Sequence, residues 1–141
     1  MKGFTLLELL LSVALLGALA GLSLPVYRTL ISKNDLDIAA DTVAMSLRRA
    51  QLLSQAVSGD SAWGVKVQNG SVTLFKGAAY AGRDADFDET FTVPPTIGVS
   101  GTSEIVFTKF TGYVPTTGTI NLSAESDEQS VAINEQGTVG F

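Results

Sequence analysis

Residues 3–8 read "GFTLLE", and the chain continues "LLLSVALLGALAGLSLP" through residue 25, with no further charge until Arg28. From Phe4 to Leu24 there are 21 residues. As a helix rising 1.5 Å per residue they extend about 31 Å, enough to cross a hydrocarbon core. Glu8 is the one carboxylate in that run. An acid inside a lipid-spanning helix costs about 2.5 to 3.5 kcal/mol on insertion scales, so Glu8 asks for a cation. Three readings of the segment follow. An ordinary secretory signal, with Lys2 in a short charged region and Ala18-Leu19-Ala20 before a cut at Gly21, releases a soluble domain, but Glu8 spoils its apolar core. An uncleaved anchor is long enough, yet Lys2 before it and Arg28 and Lys33 after it do not orient it, and Glu8 stays unexplained. A cut just after Gly3 makes Phe4 a new N-terminus, with its amine at the head of a helix and Glu8 one turn down.

Composition limits where the cation comes from. The 141 residues, 45% of them apolar, allow one domain of ordinary size plus the anchor. A net charge of −5 argues against a general affinity for nucleic acid or anionic lipid. There is no cysteine, hence no disulfide framework or thiolate metal site, and no histidine, the commonest general base and metal ligand.

Lys2-Gly3-Phe4-Thr5-Leu6-Leu7-Glu8, the apolar run and Pro25 closely resemble the class III signal of type IV pilins and type II secretion pseudopilins. The resemblance implies cleavage between Gly3 and Phe4 by a prepilin peptidase and N-methylation of Phe4. It also implies helices packed in a filament where Glu8 meets the Phe4 amine of a neighbouring subunit. Such a pairing removes much of the penalty of an isolated charge among apolar helices. The helix dipole also favours an acid there, but at under about 1 kcal/mol it does not offset burial. Pro25 removes a backbone donor and bends or interrupts the helix, or begins a new one at the membrane surface. In the family, a segment such as Gly17 to Pro25 can unwind within the filament.

From Val26 to about Ser58 the pattern turns amphipathic. Ile31, Ile38, Thr42, Met45, Leu52 and Ala56 fall within about 40° of a common line at 100° per residue, widened by Val43, Ala50 and Val57. Asp37, Asp41, Arg48, Gln51 and Gln55 take the other side, so the stripe is expected to be buried. Arg49 projects from that stripe and is expected to snorkel to its edge, with a buried carboxylate partner as the alternative. Ser58-Gly59-Asp60 supplies the stop.

Beyond residue 60 short alternating runs replace the helical period. "AWGVKVQ" and "SVTLFK" flank Asn69-Gly70, a hairpin signal in which both turn positions are expected to take positive φ. Trp63, Val65 and Val67 share a face that Val72 and Leu74 meet. "ETFTV", "EIVFTKF", "GTINLSA", "SVAIN" and "TVGF" are further strands, punctuated by Pro94-Pro95, Gly112, Pro115 and Gly118. The expected fold is α+β: a long N-terminal helix, its first half membrane-spanning, packed on a mainly antiparallel sheet. The expected parts are a leader at 1–3, a hydrophobic transmembrane and assembly helix at 4–25, an amphipathic second half at 26–58, and a β-sheet domain at 61–141. This is the lollipop that the pilin resemblance implies, and the order of the last strands resembles H-type, FimT-like minor pseudopilins. The absent cysteine pair departs from many major type IV pilins.

Sites of chemistry are poorly supported. Asp84, Asp86, Asp88 and Glu89 offer oxygen ligands, but a calcium loop starting at Asp84 needs Gly and Glu where Glu89 and Pro95 stand, so the stretch reads as a solvated acidic loop. Ser123, Ser126 and Ser130 lie near acids without a base to activate them. No Lys or Arg follows Lys109, so phosphate contacts of the kind a DNA-uptake pilin needs are not expected. No catalytic residue, metal or cofactor is assigned.

The expected role is a structural pilin or pseudopilin subunit. Its partners are other subunits, the prepilin peptidase, the inner-membrane assembly platform and, before assembly, the membrane itself. Its place is the bacterial inner membrane, single-pass with a periplasmic or extracellular C-terminal domain, then the filament. The competing class is a secreted β-domain binding module released after Ala20.

Overall fold

The computed structural model describes residues 3–125 and 127–141, with the side chains of residues 22–26 and 28 left aside, so the side chain of Pro25 and the whole of Ser126 lie outside the described residues. One helix, α1 (Leu6–Gln55), takes 50 residues. Eight strands follow: β1 (Trp63–Gln68), β2 (Ser71–Lys76), β3 (Asp84–Thr92), β4 (Gly98–Gly101), β5 (Glu104–Phe107), β6 (Gly118–Ala124), β7 (Asp127–Ile133) and β8 (Val139–Gly140). They form two antiparallel sheets rather than one, ordered β3-β2-β1-β5 and β4-β6-β7-β8.

Thr5 caps the start of α1 from an extended conformation (φ −79°, ψ 152°). Its Oγ1 accepts a hydrogen bond from the Glu8 N–H at 3.3 Å. Thr-x-x-Glu is the spacing of a capping box, in which a hydroxyl satisfies one of the orphan donors of the first turn. The helix stops three residues earlier than Ser58. Ala56 N–H still reaches Leu52 O at 2.8 Å, but Val57 turns left-handed at φ 54° ahead of Gly59, itself at φ 62°. The cause is Ser54. Its carbonyl accepts from Val57 N–H and, at 3.1 Å, from Phe110 N–H. Its buried hydroxyl accepts from Trp63 N–H at 2.9 Å and donates to Phe107 O at 3.2 Å, so the last turn is pinned to β1 and β5.

The β1–β2 hairpin has the expected register, Val65 opposite Leu74 and Val67 opposite Val72. Only Gly70 of its turn takes positive φ, at 85°. Asn69 does not, and its side-chain Oδ1 accepts from Val99 N–H at 3.0 Å. Gly64 is needed for close approach: a Cβ there would stand 2.5 Å from the Phe75 ring. β3 begins at Asp84, five residues before the expected "ETFTV", so the acidic stretch is strand and not loop. β4 was not expected.

The second half of α1 lies across both sheets, touching β1, β2 and β5 of one and β6, β7 and β8 of the other. Its buried face is Leu36, Ala39, Ala40, Val43, Ala44, Ser46, Leu47, Ala50 and Ser54. Of these, Leu36, Ala39, Ala40, Val43, Leu47 and Ala50 join Val65, Leu74, Ile105, Phe107, Ile120, Leu122 and Val131 in one core. The expected stripe is therefore on the wrong side: Ile31, Ile38, Met45 and Leu52 are 42, 52, 68 and 64% exposed. Of that stripe only Val43 and Ala50 are buried. Large residues dominate a hydropathy pattern, but a helix seated over two sheets needs small ones to let its backbone approach.

Candidate assembly surface

The described side chains of the first turns of α1, from Leu6 to Leu19, are exposed. Phe4 is 86% exposed, and Leu6, Leu7, Leu9, Leu10, Leu11, Val13, Leu15, Leu16 and Leu19 are all exposed. A helix apolar on every side is one that lipid or other helices cover. Glu8 sits in its first turn, exposed, and lines a shallow open cleft with Gly3, Phe4 and Thr5. Within one chain its backbone amide serves the Thr5 cap, and the chain supplies no cation beside its carboxylate among the described residues.

Gly17 has nothing within 4 Å of where a Cβ would stand, so no contact within the chain requires a glycine there. The backbone remains helical through positions 17–25, and in this state no interruption separates Gly17 from Pro25. Among the described residues no helix is long and apolar enough to cross a membrane. The described side chains of the apolar run end at Gly21, short of Leu24.

The acidic row of β3 is shared among cations. Asp84 pairs with Lys76 at 3.7 Å, Asp88 with Arg83 at 2.7 Å, and Glu89 with Arg49 at 2.7 Å. The Arg83 Nε donates to Asp88 Oδ2, and that bond raises the guanidinium's pKa above its ordinary value. Among the described residues no group of three or more acids converges to hold a metal ion. Arg49 thus has a carboxylate partner, an exposed one on a neighbouring strand, instead of only snorkelling. Ser123 and Ser130 are exposed on β6 and β7, opposite Glu128 and Asn121.

Below the helix end, polar side chains bind two loops to α1. Gln51 Nε2 donates to Gly112 O at 3.2 Å and Gln136 O at 2.9 Å, and Gln55 Nε2 to Thr111 O at 3.3 Å. Gly112 is at φ 65°, and a Cβ on it would meet the Gln55 side chain at 2.7 Å. Lys109 donates to Asp60, a bond that holds the Asp60 carboxyl below its ordinary value. Gln55 is exposed as the sequence reading expected, Gln51 is half-buried, and Ser54 was missed altogether.

The helix carries an exposed apolar surface, a first half headed by Phe4 and Glu8 and continued by the outward row Ile31, Ile38, Met45 and Leu52, while Phe110, Tyr113 and Phe141 are exposed on the β-domain. No known protein family matches the sequence. The fold is similar to that of the minor pseudopilin EpsH from the type 2 secretion system of Vibrio cholerae. The two superpose with a TM-score of 0.57 over 75% of this chain and 94% of that one, at 14% sequence identity. At that identity the likeness is one of fold alone.

Proposed function

We propose that this chain is a structural subunit of a pilin-like filament, a minor pseudopilin of a type II secretion system or a minor pilin of a type IV pilus, with no catalysis of its own. The observation that carries the reading is an acid, Glu8, in the first turn of a helix whose described apolar side chains from Leu6 to Leu19 are exposed, directly after Gly3-Phe4. The likeness to EpsH supports the pseudopilin alternative, and the similar order of the last strands supports an H-type subunit. In this reading a prepilin peptidase cuts between Gly3 and Phe4, Phe4 is N-methylated, and the apolar half is stored in the inner membrane. An assembly platform then moves it into a filament whose core it forms. The β-domain faces the periplasm and contacts neighbours or cargo.

Glu8 is the register element. Its carboxylate is tolerated among apolar helices because the Phe4 amine of the neighbouring subunit neutralises it, and removing either partner leaves a buried charge uncompensated. The intact mass of the mature chain tests the reading. A start at methylated Phe4 is expected, and a start at Gly21 overturns it in favour of a secreted β-domain. Glu8→Leu is expected to insert in the membrane and to enter filaments poorly. Normal incorporation of that variant would remove the intersubunit pairing from the account.

A further inference from the structure

β7 has one covered edge and one largely open edge. All seven of its residues pair with β6, whereas β8 takes only Ala132 and Ile133. Asn134 N–H reaches Thr138 O, on the β8 side, at 3.3 Å. Backbone groups alternate between the two edges of a strand, so Ala132, Ser130 and Glu128 turn the same way. β8 ends at Gly140, opposite Ala132. The N–H and C=O of Ser130 and Glu128 therefore meet no strand among the described residues. Beside them is an open groove of about 610 Å³, lined by Asp37, Asp41, Glu128, Gln129, Ser130 and Phe141. We propose that this groove takes up an extended segment of another protein, carrying two adjacent basic residues, as an antiparallel strand added to β7. The inference goes beyond the assembly reading and does not depend on it.

Helix and strand run in step along the groove. Lys33 pairs with Asp127 at 3.8 Å, and Gln129 Nε2 donates to Asp37 Oδ1. Four residues of helix rise about 6.0 Å and two residues of strand about 6.6 Å, so α1 follows β7 as a wall of the groove. The next position in that series, Asp41, comes level with Val131. Residues directly opposite each other in an antiparallel pair put their side chains on the same face. A residue opposite Gln129 therefore points to the α1 side, toward Asp37 and Asp41, and the next one, opposite Glu128, points to the other face. Adjacent basic residues supply one cation to each.

Asp37, Asp41 and Glu128 are exposed, and none of them forms an ion pair among the described residues. The edge strand β3 differs, because Asp84, Asp88 and Glu89 already hold Lys76, Arg83 and Arg49. Uncompensated acids along an open edge repel an acidic strand and select a basic one. A second copy of the chain does not supply that strand. Its one pair of adjacent basic residues, Arg48-Arg49, is in α1, and Lys66, Lys76, Arg83 and Lys109 are each paired within the chain. In strand addition the main-chain hydrogen bonds give affinity and the alternate side chains give specificity.

The probe is the peptide acetyl-Ser-Val-Arg-Lys-Val-Ser-amide, titrated into the full-length chain in an uncharged detergent. Its Arg is expected opposite Gln129, with the preceding Val opposite Ser130. Binding is expected to saturate below about 1 mM, and to slow amide hydrogen exchange at Glu128 and Ser130 while leaving Gln129, already bonded to β6, unchanged. A peptide with Pro in place of that Val keeps the charge, lacks one backbone donor and is expected to bind at least about fivefold more weakly. Equal binding of the Pro peptide, or protection without the alternation, overturns strand addition. Glu128→Lys and Asp41→Lys are each expected to weaken the original peptide at least about fivefold, and a peptide with Glu-Glu for Arg-Lys is expected not to bind. Equal binding in these cases overturns the basic partner, and no saturation by the original probe overturns the site.

Discussion

The two halves of α1 are one continuous helix and obey opposite rules. In the second half the residues that face inward are small, Ala39, Ala40, Ala44, Ala50, Ser46 and Ser54, with Leu36, Val43 and Leu47 between them. In the first half the described large residues, from Leu6 to Leu19, point in every direction and are all exposed. Isolated helices gain little from propensity alone, and most helical stability comes from an apolar face that packs. The second half obtains this from its own two sheets, whereas the first half must obtain it from lipid or from other chains. Apolar content does not distinguish core from interface here, but side-chain size does.

The largest effect that tests this contrast is expected at Leu47, which is fully buried. Leu47→Ala should destabilise the β-domain by about 2 to 5 kcal/mol, measured by chemical denaturation of the detergent-solubilised full chain. Loss of less than about 1 kcal/mol would mean that the helix is not integral to the core. Ser54→Ala comes next. Removing the hydroxyl leaves the Trp63 N–H without its acceptor, at an expected cost of about 1 to 3 kcal/mol on the same transition. An unchanged midpoint would deny Ser54 its pinning role.

A smaller effect is expected from Asp60, whose carboxyl Lys109 holds below its ordinary value of 3.8. A depressed folded value means that the contribution is present above 3.8 and lost as pH falls through the lower folded value. Wild type should exceed Asp60→Asn in stability at neutral pH, and the gap should close in strongly acidic solution. A gap independent of pH would point to packing. Smallest of all, Leu10→Ala should leave the denaturation midpoint within about 0.5 kcal/mol of wild type while impairing filament entry. A substantial loss of domain stability would join the two halves after all.

Much of this was legible in the sequence because it was carried by local chemistry. The run from Phe4, the hairpin around Asn69-Gly70 and the strand "GTINLSA" need only nearby residues to specify them, and β6 spans Gly118–Ala124 as read. The phase of the second half of α1 was misread because burial there is decided by how closely a sheet approaches, which hydropathy does not encode. β4, Gly98–Gly101, carries two glycines in four residues and has no strand signature of its own; pairing with β6 makes it a strand. β3 was shortened in the reading because acids are depleted in strands, yet at an edge Asp84, Asp86 and Asp88 discourage unwanted pairing, and Asp84 and Asp88 meet Lys76 and Arg83. The outward row was noticed for its hydropathy and assigned to the wrong side.

The seating of α1 lengthwise across both sheets also governs how the molecule responds to force. Tension applied along the helix axis acts in shear on a whole row of interdigitated side chains at once, from Leu36 to Ser54. The β-domain would thus resist being stripped from its stalk far better than if it hung from the helix tip, where the contacts would peel one after another.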